Sequence, residues 1–388
     1  MELCGQSATQ TIYWINSQQG LLNAAAQLGA CPLVAVDLEA DSMYHFTEKI
    51  CLIQTACENG CYIIDPLSIE DISPLGPVFA DPGITKIFHG ADYDVRSLYR
   101  DFSFTVNSLF DTQEACRFLG YPQTGLGAIV ERHFNITLDK RFQKKDWSRR
   151  PIGDAMVAYA ANDVLYLIRL YEIFQKRLAE KKRLAWAVEA GRDISKVRPD
   201  MANGNGPPLF LRFKGAGRLD PLTLAVLELL LEFRRDVARA KDRPPFKVVG
   251  NAALLKIAVN RPDTADQLKR TCGLSPLQMK MYAAPMLDCV RQALEIEEKD
   301  LPRYPRNRAP RMPMAAVERQ KMLKQWREKT ARGMEMDPAL ILNKVALHEL
   351  ALASPGHVDE LVRIDGLKDW QKKEFGEAIV GVLSGYGQ

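Results

Sequence analysis

Hydrophobic spacing divides the first 200 residues into short strands and longer helices. Short apolar runs of the kind found in buried strands lie at 33–39, 51–55, 62–64 and 84–88. Apolar residues at helical spacing lie at 7–30, 95–99, 112–119, 126–134 and 152–180. Asn59-Gly60, between the second and third runs, predicts a hairpin because both residues accept a positive φ. Strands that precede helices in this way predict an α/β domain over residues 1–200.

From residue 218 onward the strand pattern fades and the helical spacing continues to the end. Residues that recur 93 positions later in the chain include Pro245 and Pro338, Leu254 and Leu347, and Gly273 and Gly366. The second half is therefore predicted to contain two copies of one small all-α unit, at 218–298 and 315–388. A linker rich in Pro and Gly at 201–217 precedes them, and a basic, Pro-rich linker at 299–314 separates them.

Composition and charge describe an ordinary globular protein and exclude few functions. The chain is 47% hydrophobic and 26% charged, and its net charge of +4 does not by itself indicate a nucleic-acid partner. The sequence predicts neither a secretory signal nor a membrane span, so a cytoplasmic protein is expected. We also expect a monomer. The eight cysteines include no Cys-x-x-Cys pair, which favours reduced thiols over a zinc site.

The predicted strand at 33–39 ends in two acids, Asp37 and Glu39. Alternation along a strand places these two side chains on one face and Leu38 on the other. Two adjacent carboxylates at a buried strand end repel each other, and a bound divalent cation would remove that conflict. Asp-x-Glu is a common tripeptide, so the interpretation depends on the apolar run before it and on further residues downstream.

Two later segments offer two more acids and a phenol. Asp94 follows the predicted strand at 84–88 and lies in the first turn of the next helix, where a helix-capping role is the simpler interpretation. Tyr159 and Asp163 are four residues apart in a helical segment and therefore share one face. The small residues at 160 and 161 would let that face approach the sheet closely. Taken singly, each of these residues is more often structural than catalytic.

Three motifs in this order resemble those of the DEDD exonuclease superfamily in its tyrosine-bearing branch: Asp37-x-Glu39, Asp94 and Tyr159-x-x-x-Asp163. Flanking segments that also resemble the bacterial ribonuclease D family lie at 50–54, 110–112 and 138–151. The repeated unit is similar to the helicase-and-RNase-D C-terminal (HRDC) domain. The resemblance implies an α/β plus all-α protein, with a ribonuclease H-like exonuclease domain whose central mixed sheet is flanked by helices, followed by two HRDC domains.

The same resemblance implies 3′–5′ hydrolysis of RNA with two divalent ions, Mg²⁺ or Mn²⁺, and release of nucleoside 5′-monophosphates. By that analogy Asp37 contacts both ions and Asp94 supports the second. Glu39 and Asp163 hold the first ion, and Tyr159 orients the attacking water. The family also suggests that RNA 3′ ends, above all those of tRNA precursors, are the substrates.

RNA contacts require positive charge, which is concentrated at residues 140–150 and interleaved there with Phe142 and Trp147. Trp147 is expected to pack in the core. Residues predicted to contact RNA are His89, Lys140, Gln143, Lys144, Lys145, Arg149 and Arg150. His89 also has a structural interpretation, since the acids suffice as metal ligands. A second basic patch, for which a solvated linker is almost as good an explanation, consists of Arg303, Arg306, Arg308 and Arg311.

One departure from the family pattern follows Glu39, where many relatives have an aromatic residue or a histidine. This chain has Ala40-Asp41-Ser42 at that point. Contacts to the terminal nucleotide are therefore expected to come from Tyr44, His45 or Phe46 instead.

Two other functions stay open on the sequence. The first is a DNA 3′–5′ exonuclease, as some tyrosine-branch relatives are, and digestion of matched RNA and DNA strands separates the two. The second is a nucleic-acid-binding adaptor with a silent exonuclease fold, against which the intact set of four acids and a tyrosine argues. The sequence has no Gly-x-x-x-x-Gly-Lys-Ser/Thr phosphate loop, which argues against a helicase.

Overall fold

The computed structural model describes residues 10–199, 206–305 and 312–385. The chain forms two compact units. One contains Met1–Ala40, Ile50–Pro199 and Pro310–Gln388, and the other contains Asp41–Lys49 and Asp200–Ala309. Across the three described ranges, no helix combines the length and the apolar character needed to cross a bilayer.

A mixed six-stranded sheet lies at the centre of the first unit. Its strands are β1 (Ile12–Ile15), β2 (Leu33–Ala40), β3 (Ile50–Cys57), β4 (Gly60–Ile64), β5 (Thr85–Phe88) and β6 (Leu109–Asp111). They are ordered β1-β4-β3-β2-β5-β6, and β3 pairs antiparallel with β2 and β4 while the other neighbours are parallel. The mixed sheet that the resemblance implied is confirmed.

Helices cover both faces of this sheet. They are α1 (Gln18–Gly29), α2 (Gly76–Ala80), α3 (Asp92–Phe102), α4 (Thr112–Leu119), α5 (Leu126–Phe134), α6 (Asp154–Leu165), α7 (Leu167–Glu180) and α8 (Leu184–Ile194). Val34 and Val36 of β2 belong to a core shared with α1, α2 and α3, whereas Ala35 belongs to a core shared with α4 to α8. Because strand residues alternate, Asp37 and Glu39 lie on the same face as Ala35.

Three predicted elements differ from the structure. The helix predicted at 7–30 begins only at Gln18, because Ile12–Ile15 is an edge strand paired with the distant β4. The helical pattern at 152–180 contains two helices, which meet at Tyr166. The predicted hairpin is present, but Gly60 pairs with Cys57, so its loop is one residue earlier than expected.

The two repeats contain the same succession of elements. The first has α9 (Pro221–Ala240), α10 (Pro245–Val248), α11 (Asn251–Asn260), α12 (Ala265–Cys272) and α13 (Pro276–Leu294). The second has α14 (Met314–Met334), α15 (Pro338–Ile341), α16 (Lys344–Ala353), a 3₁₀ turn (Val358–Arg363) and α17 (Asp369–Ser384). Each element of the second repeat begins 93 residues after its counterpart, which matches the sequence repeat. The linkers predicted at 201–217 and 299–314 lie partly outside the described residues.

Within the first unit, the second repeat packs against α8. The rings of Trp186 and Trp370 stack with centroids 4.2 Å apart. The carboxylate of Glu189 accepts the backbone N–H groups of Asp369 and Trp370 at 2.8 and 2.9 Å, which satisfies two free N–H groups at the start of α17. An aromatic contact and a helix cap therefore anchor this repeat.

Candidate active site

The first two acids of the site lie near the end of β2. Asp37 is paired with Gln54 of β3 and Glu39 with Leu52, and the strand register shifts immediately after Glu39. Both side chains extend from the face of the sheet that α6 covers, as the alternation predicted. The strand thus presents two carboxylates to one helix.

Helix α6 supplies the third acid and the phenol. Carboxylate oxygens of Asp37, Glu39 and Asp163 all lie within 4.8 Å of one another. The side chains of Ala160 and Ala161 are fully buried between the helix and the sheet, where small residues permit a close approach. The predicted convergence of the Asp-x-Glu and Tyr-x-x-x-Asp segments is therefore present.

Asp94 lies in the first turn of α3 and is also buried. The turn that leads into α3 is held by Asp111, whose carboxylate accepts the backbone N–H groups of Gly90 at 3.0 Å and Ala91 at 2.8 Å. Asp111 also caps α4 by accepting the N–H of Gln113 at 2.8 Å. One carboxylate thereby links the two strand-to-helix turns and positions the segment that carries Asp94.

The electrostatics of the four acids show a deficit of positive charge. Burial, followed by repulsion from its acidic neighbours, raises the pKa of Asp37 well above its ordinary value. The same two causes raise the pKa of Glu39 to about 9. Burial raises the pKa of Asp94 to about 7, with a further contribution from Asp111, and burial raises that of Asp163 to about 7. A site that ionises all four groups at neutral pH therefore needs added positive charge.

This donor set fits a hard divalent cation. All four side chains offer carboxylate oxygens, the ligands that Mg²⁺ and Mn²⁺ prefer. Among the described residues, no lysine, arginine or histidine forms a salt bridge with Asp37, Glu39, Asp94 or Asp163. The charge that the cluster lacks is the charge that such an ion would supply.

Tyr159 contributes a neutral hydroxyl to the site. Burial, with the negative charges of Asp163 and Glu39, raises the pKa of its phenol above the ordinary range, so the group stays protonated. Its ring packs against Phe142 at 5.8 Å and against Trp147 at 5.9 Å between centroids. Trp147 is fully buried, which confirms its predicted packing role.

These two aromatic contacts place the basic loop beside the site. Lys140, Gln143, Lys144, Lys145 and Arg149, which belong to the set predicted to contact RNA, are exposed on this loop. Phe142 and Trp147 of this loop pack on Tyr159, while the loop's charged side chains face solvent. Their contact with RNA stays a prediction.

The other two residues predicted to contact RNA are occupied within the protein. All five N–H groups of Arg150 donate to protein oxygens: two to the carboxylate of Asp65, and the others to backbone carbonyls. These hydrogen bonds give Arg150 a structural role, and its contact with RNA stays a prediction. His89 Nδ1 lies 2.9 Å from Thr112 Oγ1, and burial lowers its pKa, which fits the structural interpretation.

Sequence reasoning missed Asp65 and Asp111 as supports of the site. Asp111 could have been found, because it ends an apolar run and begins a helix, as an N-cap acid does. The partner of Asp65 lies 85 residues away and leaves no local signal. Of the second basic patch, Arg303 is exposed, and the residues at 306, 308 and 311 lie outside the described residues.

The residues expected to replace the missing aromatic after Glu39 have other partners. His45 Nδ1 lies 2.6 Å from Asp242 Oδ2, and the Phe46 ring packs against the core of the first repeat. Lys247 Nζ lies 4.2 Å from the centroid of the Tyr44 ring. A nucleotide contact by these three side chains is therefore not supported by their position.

Comparisons with known proteins identify the family of this chain. A family model described as 3′–5′ exonuclease matches residues 12–179, and a model described as HRDC domain matches 223–290 and 318–383. Ribonuclease D of Haemophilus influenzae is 30% identical over 286 residues, which cover 72% of this chain and 70% of that protein. Ribonuclease D of Pseudomonas paraeruginosa is 26% identical over 373 residues, which cover 96% of this chain and 97% of that protein.

The exonuclease similarity extends to a larger eukaryotic protein and to a solved structure. An exosome complex component 10 homolog of Caenorhabditis elegans is 31% identical over 288 residues, and the chain spans 33% of its length. The crystal structure of Escherichia coli RNase D has a TM-score of 0.72 at 24% identity, covers 97% of this chain, and supports the fold. The matched models and the Haemophilus relative show that the chain belongs to the ribonuclease D family and is a 3′–5′ exoribonuclease.

Proposed function

We propose that this enzyme trims the 3′ ends of tRNA precursors by two-metal-ion hydrolysis and releases nucleoside 5′-monophosphates. The observation that carries the proposal is the convergence of Asp37, Glu39 and Asp163 within 4.8 Å, with Asp94 near enough for its charge to act on the first two. A cluster of carboxylates of this kind can hold the metal ions that assist hydrolysis of a phosphodiester.

The proposal assigns each of the four acids to one or both metal ions. Asp37 would hold both ions, Glu39 and Asp163 would hold the first, and Asp94 would hold the second. When bound, two such ions stabilise the charge on the attacking and leaving oxygens of an in-line displacement. The raised carboxyl pKa values mean that the free site retains protons, which bound cations would displace.

Tyr159 acts as a neutral hydrogen-bonding group. Its protonated hydroxyl can donate to or accept from a water molecule, and the packing of its ring against Phe142 and Trp147 limits its orientation. A fixed phenol of this kind would orient the attacking water toward the terminal phosphate. The exposed Lys140, Lys144 and Lys145 would bind the RNA backbone through its phosphates.

Structured RNA is the substrate class that we favour. The Escherichia coli structure is described as an exoribonuclease involved in structured RNA processing, and the match covers 97% of this chain. The seven cysteines in the described ranges are free and buried, and free thiols are typical of a reducing cytoplasm, where tRNA maturation takes place. We also propose that the enzyme acts as a monomer.

Digestion of a 5′-labelled, 3′-extended tRNA in the presence of Mg²⁺ tests the proposal. The wild-type enzyme should shorten the 3′ end stepwise and release nucleoside 5′-monophosphates, while Asp37→Ala should bind the RNA and leave it intact. Matched DNA should be degraded much more slowly. Retained hydrolysis by Asp37→Ala would reject the metal assignment, and equal digestion of RNA and DNA would reject the substrate assignment.

A further inference from the structure

The loop that follows the catalytic strand contacts the first HRDC repeat. This loop, Asp41–Lys49, joins β2 to β3 and begins two residues after Glu39. It belongs to the same compact unit as Asp200–Ala309. Its Phe46 ring packs against the core of the first repeat, with the guanidinium of Arg239 5.4 Å from the ring centroid. The loop therefore connects the first HRDC repeat with the strand that carries two of the acids.

Asp242 of the repeat makes two polar contacts with this loop. Asp242 Oδ2 lies 2.6 Å from His45 Nδ1, and Asp242 Oδ1 accepts the backbone N–H of Phe46 at 3.0 Å. Asp242 is the corner residue between α9 and α10, and its φ of 42° is in the left-handed region that few residues other than glycine adopt. An unusual backbone conformation thus occurs at the residue that binds the loop.

Inside the loop, a buried acid connects the two ends. Asp41 is fully buried, and its Oδ1 accepts the backbone N–H of Lys49 at 2.8 Å while its carbonyl accepts that of Tyr44 at 2.7 Å. In the part of the chain that the structure describes, Asp41 Oδ2 makes no hydrogen bond, and it lies 4.0 Å from His45 Nε2. The imidazole of His45 therefore lies between two carboxylates, Asp242 and Asp41.

We propose that Asp242 is a positioning residue for cleavage, which fixes the loop through His45 and Phe46 and thereby the end of β2 that carries Glu39. The inference depends on the proposed function in that Glu39 is taken as a metal ligand. The register of β2 shifts between Glu39 and Ala40, so the strand ladder is irregular immediately after Glu39. A catalytic group displaced by about 1 Å can cost on the order of 10²-fold in rate.

Three variants separate this positioning role from a general loss of structure. Asp242→Gly removes the carboxylate at a φ that glycine adopts without strain, and Asp242→Asn keeps an acceptor but removes the charge. Glu335→Gly is the matched control. It lies 93 residues later at the corresponding corner of the second repeat, has a φ of 54°, and its side chain is 82% exposed.

The test combines hydrogen exchange of the Phe46 amide with kcat and KM on a 5′-labelled single-stranded RNA. In Asp242→Gly this amide should exchange at least about tenfold faster, and kcat should fall by about tenfold with KM changed less than about twofold. Asp242→Asn should show a smaller change of the same kind, and Glu335→Gly should match the wild type in both measurements.

Two results would overturn the inference. One is faster hydrogen exchange of the Phe46 amide in Asp242→Gly with unchanged kcat. The other is a loss of kcat in Glu335→Gly equal to that in Asp242→Gly. Asp37→Ala in the same assay distinguishes a failure of the Asp242 inference from a failure of the proposed function. Cleavage by that variant would reject the metal roles, while the amide exchange would still report on the Asp242 contact.

Discussion

Two buried acidic sites lie beside the same sheet, and they differ in the source of their positive charge. Asp65, at the end of β4, has a guanidinium partner in Arg150, whose nitrogens lie 2.5 and 2.7 Å from its carboxylate oxygens. Burial alone would raise the pKa of Asp65, but hydrogen bonds from Arg150 and Ser68 lower it below the ordinary value. The four acids of the candidate active site have raised pKa values, and among the described residues none of them forms a salt bridge.

The comparison shows how one kind of residue serves two purposes. Where the chain supplies an arginine with every N–H satisfied, the buried acid is structural and its charge is compensated within the fold. Where it supplies acids alone, the free site retains protons, and in our proposal bound cations replace them. Loss of an acid from the cluster and loss of the arginine from the ion pair should therefore have opposite effects on stability.

Asp163→Asn is expected to give the largest effect. Cleavage of single-stranded RNA should fall by about 10³-fold, equivalent to about 4 kcal/mol of barrier. The metal-free protein should melt at the same temperature or higher, because one buried negative charge has been removed. Single-turnover assays and thermal melts in chelator measure the two quantities. A lower melting temperature of the metal-free variant would contradict the proposed repulsion within the cluster.

Arg150→Met should destabilise the protein by about 3 kcal/mol, the lower end for a broken buried ion pair, because the arginine is 24% exposed. Its loss leaves the carboxylate of Asp65, which is 1% exposed, without its cation. Denaturant unfolding measures the change. Arg149→Met is the neighbouring control, since its side chain is 82% exposed and should contribute little. Equal effects of the two variants would remove the structural role assigned to Arg150.

Tyr159→Phe should slow turnover by about 10²-fold, because it removes a hydroxyl that orients the water while keeping the ring. Its packing against Phe142 and Trp147 needs no hydroxyl, so the melting temperature should stay unchanged. Steady-state kinetics and a thermal melt measure these two outcomes. Unchanged turnover would exclude the tyrosine from the reaction.

The smallest expected effect is a pH dependence of opposite sign at the two sites. Carboxyl pKa values raised to about 7 and about 9 stabilise the metal-free fold at low pH, and this contribution is lost as pH rises through those values. The lowered pKa of Asp65 gives a contribution that is present above the ordinary carboxyl pKa and is lost as pH falls through the lowered value.

Melting temperatures measured with and without Mg²⁺ at several pH values test the sign of this pH dependence. The stabilisation by Mg²⁺ should be a few degrees near neutral pH and larger at about pH 9, since metal ions bind the ionised carboxylates. Arg150→Met should keep this dependence and Asp163→Asn should weaken it. A Mg²⁺ effect that shrinks as pH rises would contradict the raised pKa values.

The sequence predicts the relative placement of the candidate site residues better than it predicts the elements around them. Asp37 and Glu39 were placed by strand alternation, and Tyr159 and Asp163 by helical spacing, because each pair depends on local geometry alone. Their convergence on one point followed from family resemblance, since chain-distant contacts leave no local pattern.

The sequence does not reveal features that depend on distant partners. Ile12–Ile15 forms a strand because it pairs with β4, although the residues next to it in sequence favour a helix. Arg150 lies in a basic stretch typical of RNA binding, yet Asp65, far earlier in the chain, accepts two of its N–H groups. His45 and Phe46 were expected near the nucleotide, and their partner Asp242 lies almost 200 residues later in the chain.

The most direct test of the central claim is calorimetric titration of Mn²⁺ into the RNA-free protein, in the wild type and in Asp37→Ala. The account predicts saturable binding to the wild type with release of protons, because the raised pKa values mean that the free carboxyl groups retain them. In Asp37→Ala the affinity should fall by at least about tenfold, since a shared ligand is lost. Equal Mn²⁺ affinity in the two proteins would contradict the assignment of these acids as a metal site.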